Sequence, residues 1–108
     1  MKFLFRADGN EKIGAGHIMR CLSIAQKAKT QGIDCVFVIS DDSYFSKIIN
    51  SGIRCIVLGT DFRKLEDEIP ELLEKIAEEV PDKIIVDSYY VTEKYLRALK
   101  EAACVVYI

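Results

Sequence analysis

Short apolar runs alternate with amphipathic segments along the whole chain, and few folds can accommodate that alternation. Cys35-Val36-Phe37-Val38-Ile39 is apolar without a break. A strand with one wet face would alternate polar and apolar residues, so an unbroken run predicts a strand covered on both faces, here over Asp34–Ser40. Lys2–Arg6, Arg54–Leu58, Lys83–Val86 and Ala103–Ile108 read as four further strands. Between them the apolar residues fall at helical spacing. Ile18, Leu22 and Ala25 line a helix over His17–Thr30, and Phe45, Ile48 and Ile49 line a shorter one over Asp41–Asn50. Leu65, Ile69, Leu72, Leu73 and Ile76 line a third over Arg63–Glu79, where Pro70 moves the regular part towards itself and Pro81 ends it. The Lys/Glu-rich remainder of this helix reads as a solvated face. Thr92 caps a fourth helix that runs to Lys100, with Tyr95, Leu96 and Leu99 inward. The order β-α-β-α-β-α-β-α-β predicts an α/β fold: a Rossmann-like parallel sheet with helices on both faces.

Size and charge narrow the functional classes. The 108 residues suffice for one domain. A net charge of −2, from interspersed acids and bases, leaves no basic stripe for nucleic acid. No run approaches the roughly 18 apolar residues of a membrane span, and the N-terminus meets charges too early for a signal peptide. Cys21, Cys35, Cys55 and Cys104 form no C-x-x-C pair and each lies in an apolar segment. They read as reduced core thiols of a cytoplasmic protein, not as zinc ligands. No cofactor or metal is expected. The chain stops on Cys104-Val105-Val106-Tyr107-Ile108, which reads as a core strand, so the expectation is the front part of a longer protein.

In an open α/β sheet, ligands bind beyond the carboxyl ends of the strands. Two loops there carry polar residues. The first, after strand one, runs through Gly14-Ala15-Gly16-His17-Ile18-Met19-Arg20 and holds the chain's single histidine. Its glycines let the backbone turn and approach a ligand, and the helix start offers free N–H groups to an anion. Histidine itself suits proton transfer near neutral pH. The second loop is Asp87-Ser88-Tyr89-Tyr90, after strand four. Strands one and four are neighbours in a Rossmann-like order, so Asp8, Asn10, His17, Arg20, Asp87, Ser88 and Tyr89 are expected to converge on one crevice. Arg20 would bind phosphate or orient a carboxylate. Met19 occupies the third position of the dinucleotide fingerprint, and no G-K-[ST] follows the glycines, so neither a classical NAD site nor a P-loop is expected.

The stretch Arg6-Ala7-Asp8-Gly9-Asn10…Ile13-Gly14-Ala15-Gly16-His17-Ile18-Met19-Arg20-Cys21-Leu22 closely resembles the start of the UDP-2,4-diacetamido-2,4,6-trideoxy-β-L-altropyranose hydrolases of pseudaminic acid biosynthesis. That family also includes spore coat polysaccharide biosynthesis proteins, and its fold is similar to the MurG-type GT-B glycosyltransferases. Asp87-Ser88-Tyr89 resembles a second family segment, an Asp-x-Tyr after strand four. The resemblance implies the amino-terminal half of a GT-B-like fold and hydrolysis of a UDP-sugar without metal or cofactor. A water activated by a histidine at the position of His17 would attack the anomeric carbon with inversion, releasing UDP. Gly14 and Gly16 would give room beside the sugar, Tyr89 would place water or sugar, and Arg6, Asp8, Arg20 and Asp87 would shape the pocket.

In that family the UDP moiety is held chiefly by a carboxy-terminal domain, which this chain lacks. The expected partners are therefore a UDP-sugar and such a domain, in cis or in trans. Two alternatives stand beside this reading. One is the amino-terminal domain of a glycosyltransferase, using the same base on a sugar or lipid acceptor. The other is a non-catalytic binding module, or half of a split enzyme, which would self-associate or bind a separate chain through an exposed apolar face.

Overall fold

The computed structural model describes residues 1–108 and has the expected architecture. Five parallel strands, β1 (Lys2–Ala7), β2 (Asp34–Ile39), β3 (Arg54–Val57), β4 (Lys83–Asp87) and β5 (Cys104–Tyr107), lie in the order β3-β2-β1-β4-β5. Four α-helices, α1 (Gly16–Thr30), α2 (Phe45–Asn50), α3 (Ile69–Glu79) and α4 (Glu93–Lys100), cross between them. The protein is an α/β chain with a Rossmann-like sheet. Strands β1 and β4 pair directly, Arg6 opposite Val86 and Ala7 opposite Asp87, so the loops that follow them leave the sheet side by side.

Side-chain alternation along β1 divides the core in two. Phe5 and Ala7 face α1 and α2, packing with Ile18, Cys21, Leu22 and Ala25 against Phe37, Ile39 and Ile85. Leu4 points the other way, into a cluster with Val36, Val38, Ile84 and Val86 under α3 and α4. The unbroken apolar runs of β2 and β4 are thus explained, since each face has its own helix pair to cover it.

Several expected boundaries shift for local reasons. Helix α2 begins at Phe45 and not at Asp41, because the Asp41 carboxylate accepts the Ser43 N–H at 2.9 Å and holds a turn. Of its three expected core residues only Ile48 is buried, while Ile49 is 41 % exposed. The third helix is preceded by a 3-10 turn, Leu65–Glu68, and the regular helix starts beside Pro70. The Lys/Glu-rich face there is not wholly solvated, because Glu68 is fully buried. Thr92 caps α4 as expected, accepting the Tyr95 N–H at 3.2 Å. Strand β5 lies at the edge of the sheet, and Val106 and Tyr107 on it and Ile108 just after it are each 41–50 % exposed. Cys104 on it is exposed too and Cys55 is half-buried, so only Cys21 and Cys35 are core thiols. No helix is long and apolar enough to cross a membrane.

Candidate active site

The β1–α1 loop is shaped by its own hydrogen bonds. Asn10 and Gly14 exchange backbone N–H···O bonds of 3.3 and 2.8 Å, and the Asn10 side-chain oxygen accepts from the N–H groups of Lys12 and Ile13. Closing that turn places Gly14 at φ 75°, a conformation glycine adopts without steric penalty. The chain then enters α1 at Gly16, where no side chain caps the helix and nothing would crowd an added Cβ. His17 is therefore presented from the first turn of α1, at the carboxyl end of β1.

Across the β1–β4 seam, Asp87 closes the site. Residue 87 shares the face of Ile85, and that face looks onto α1. The His17 Nδ1–H donates to Asp87 Oδ1 at 2.5 Å. Arg20, one helical turn on, donates from Nε to Oδ2 and from Nη2 to Oδ1, both at 2.7 Å. Both carboxylate oxygens are therefore held, and the Asp87 side chain is buried while Arg20 remains half exposed. Burial opposes ionisation of Asp87, but the hydrogen bonds from Arg20 and His17 outweigh it and hold its pKa below the ordinary carboxylate value. Nδ1 carries the proton because its partner is a carboxylate. Nε2 then has its lone pair free and makes no hydrogen bond within the chain, although the His17 side chain is only 7 % exposed. The ring of Tyr89 stands edge-on to the imidazole, with centroids 4.4 Å apart, and is 77 % exposed.

Cys21 lies on the same helix face, its thiol 3.9 Å from Asp87 Oδ2. Burial first, then the Asp87 charge, pushes its pKa up to about 12, so it stays a thiol and is no nucleophile at neutral pH. This base–orienter–clamp arrangement can take a proton from a water at Nε2 and share the resulting charge with Asp87.

Of the residues expected to converge or to shape the pocket, the fold gathers His17, Arg20, Asp87 and Tyr89, while Asn10 bonds only within its own loop. The fold does not bring Arg6 or Asp8 to them. Arg6 follows Leu4 onto the opposite face of the sheet, where it is fully buried. Its Nε and Nη2 donate to the two oxygens of Glu68, both at 2.7 Å, and Nη2 also to Ser40 Oγ at 2.7 Å. Asp8 accepts from the Ser40 N–H and hydroxyl at 2.7 and 3.0 Å and lies 3.0 Å from Arg6 Nη1. Tyr95 and Thr60 donate to Glu68 at 2.7 and 3.1 Å. The Arg6 charge is thus satisfied inside the fold, and these residues pin the 3-10 turn and α4 to β1. Ser88 also serves the fold, accepting the Tyr90 N–H at its hydroxyl and the Tyr107 hydroxyl at its carbonyl.

Glu68 and Ser40 have no place in the sequence-based site, yet Glu68 carried a signal. It lies three residues after Leu65 and four before Leu72, on the apolar stripe, where an acid is buried only with a partner.

No family model matches this chain. It is 27 % identical over 103 residues to the uncharacterized protein MJ1062 of Methanocaldococcus jannaschii, an alignment that takes in 94 % of this chain and 20 % of that protein. The chain thus spans about a fifth of the length of the relative it matches.

Proposed function

We propose that this chain is the base-bearing domain of a nucleotide-sugar hydrolase. The observation that carries the reading is the His17–Asp87 pair at the carboxyl ends of adjacent parallel strands, with Nε2 of the imidazole left free. A water held at Nε2 gives up a proton to it as its oxygen bonds to the anomeric carbon. The bond from that carbon to the diphosphate oxygen breaks, and UDP departs with the electron pair. Attack from the face opposite the leaving group inverts the centre. The proton taken by His17 leaves an imidazolium, which the Asp87 carboxylate stabilises while Arg20 keeps that carboxylate in place. A general base of this kind is worth about 10²–10⁴-fold in rate.

The same geometry limits what the chain does alone. Arg6 is enclosed by Glu68 and Asp8, and Arg20 is engaged by Asp87, so neither is free to neutralise a diphosphate. The resemblance assigns the leaving group to a second domain, in cis or in trans, and on that reading turnover by this chain alone is slow. A UDP-diacetamido-trideoxyhexose is the substrate that the resemblance of the His17 loop favours. The test is UDP release from UDP-2,4-diacetamido-2,4,6-trideoxy-β-L-altropyranose, with wild type and His17→Ala each in the longest reading frame that carries this chain. Release that drops about 10²–10⁴-fold in the variant supports the reading. Equal release from both removes His17 as base, and no release from a folded wild type removes this sugar as substrate.

A further inference from the structure

The two edges of the sheet are treated differently by the sequence. Edge strands expose free N–H and C=O groups that template another strand, and proteins usually blunt them with a charge, a proline, a bulge or a covering element. At the β3 edge Arg54 supplies a charge, bonded to Glu79, and Cys55 and Ile56 are half-buried against the two core clusters. At the other edge, β5 carries neither charge nor proline along Cys104-Val105-Val106-Tyr107. Val105 is half-buried against the cluster under α3 and α4, while Cys104, Val106 and Tyr107 are exposed, as is Ile108 after them. An open row of backbone groups and an uncharged apolar run thus coincide on one strand.

The direction of the backbone groups decides what that edge can pair with. The Ile108 N–H donates to the Val86 carbonyl on β4 at 3.0 Å. Backbone directions alternate along a strand, so Val106 also turns its N–H and C=O to β4, and Val105 and Tyr107 turn theirs outward. In an antiparallel pair, two residues that exchange both bonds must each face the other strand. A two-fold axis at Val106 meets that condition with a second copy of the same strand. Val105 then exchanges bonds with Tyr107 of the second copy, and Tyr107 with its Val105. Val106 faces its own counterpart as a non-hydrogen-bonded pair, with Cα atoms about 4.5 Å apart. Cys104 faces Ile108 of the second copy on the same side, the side of Ile85, because Val106 lies opposite Ile85. With no charged side chain on β5, none is set against its own kind. We propose that β5 is a dimerisation edge, where two copies of this chain pair antiparallel, β5 to β5, and their sheets become one. The seam is one strand wide, so the interface falls below about 1,200 Å² and the dimer is weak. The inference does not rest on the hydrolase reading.

Amide hydrogen exchange of the isotope-labelled chain, followed by NMR from micromolar to millimolar concentration, tests this. The Val105 and Tyr107 N–H groups are expected to gain protection as concentration rises, whereas the Ile108 N–H, bonded within the chain, is protected throughout. Sedimentation should pass from monomer to dimer over the same range. Val106→Lys sets two ammonium groups against each other at the axis and should raise the dimer Kd at least about tenfold. Cross-linking serves if that variant fails to fold. In a Cys104→Ser background, Val106→Cys should form an interchain disulfide on mild oxidation, and Tyr107→Cys, which faces Val105 of the second copy, should not. A chain that stays monomeric at millimolar concentration overturns the proposal. So does a dimer that Val106→Lys leaves intact, or protection of Val105 and Tyr107 that does not change with concentration. None of these readouts involves His17, whose role UDP release tests on its own.

Discussion

Asp87 shows how one side chain can set both the chemistry and the integrity of a site. With His17 Nδ1 and two Arg20 nitrogens bonded to it, its carboxylate is the hub on which imidazole orientation depends. Asp87→Asn keeps the shape but offers an N–H where His17 needs an acceptor, so the ring loses the tautomer that frees Nε2. If the chain serves the hydrolysis proposed above, steady-state kinetics should show a fall in kcat of about 10²–10⁴-fold, comparable to His17→Ala, with KM little changed. Arg6 belongs to the opposite case. Arg6→Ala strands Glu68 and Asp8 without their cation and should destabilise the chain by about 3–5 kcal/mol in urea unfolding. Joint replacement by Arg6→Met and Glu68→Leu should recover only the part owed to Glu68, since Asp8 stays buried without its cation and the Tyr95 hydroxyl loses its acceptor. The sequence made His17, Arg20 and Asp87 legible because each sits where loop position and strand topology converge. The resemblance put Arg6 in the pocket, and the fold takes it elsewhere. Alternation along β1 sends residue 6 with Leu4 and residue 7 with Phe5, and that parity places Arg6 on the far face.

At the scale of elements, the strands and helices were legible to within a few residues because burial on both faces writes itself into the apolar runs. The ends were less so, because turns are settled by single hydrogen bonds such as that from the Ser43 N–H to Asp41. The end of α3 is a further instance. Pro81 stops the helix, but the residue that turns the chain is Val80, at φ 49° and ψ 57° and 74 % exposed. A β-branched residue is strained in this left-handed conformation, which helix ends usually assign to glycine. Val80→Gly should therefore stabilise the chain by about 1 kcal/mol, read as a higher urea midpoint with unchanged slope. A lower midpoint would mean that the apolar contacts of Val80 outweigh its backbone strain. Glycine also works here by absence of bulk. A Cβ on Gly9 would come within 2.8 Å of both Ile18 and Tyr44, so this position lets the loop after β1 pack against the first turn of α1 and against Tyr44.

Across the whole molecule, two carboxylates fasten helices to the sheet at opposite ends of the strands, and both contribute to the acid limit of the fold. Asp87 ties α1 to β4 through His17 and Arg20. Glu79, at the end of α3, accepts from Arg54 on β3 and from Lys2 on β1. For Glu79 the Arg54 hydrogen bonds outweigh burial and lower its pKa, and Asp87 is lowered as well. A carboxylate whose folded pKa lies below its unfolded one binds protons more readily in the unfolded chain. Its contribution is complete above the unfolded values of about 4 and is lost as pH falls through the lower folded values. The urea midpoint contributed by these two groups should thus be flat down to about pH 4 and decline below it. Asp87→Asn should lower the plateau and flatten the decline. Salt distinguishes the two clamps. Arg54 is more than half exposed, so its pairing with Glu79 is screened, whereas the Asp87 side chain is buried among its partners. Repeating the titration at high ionic strength should therefore weaken the acid dependence that survives in Asp87→Asn more than the part that Asp87 supplies. A decline that salt leaves unchanged in both proteins would place the acid limit in buried groups alone.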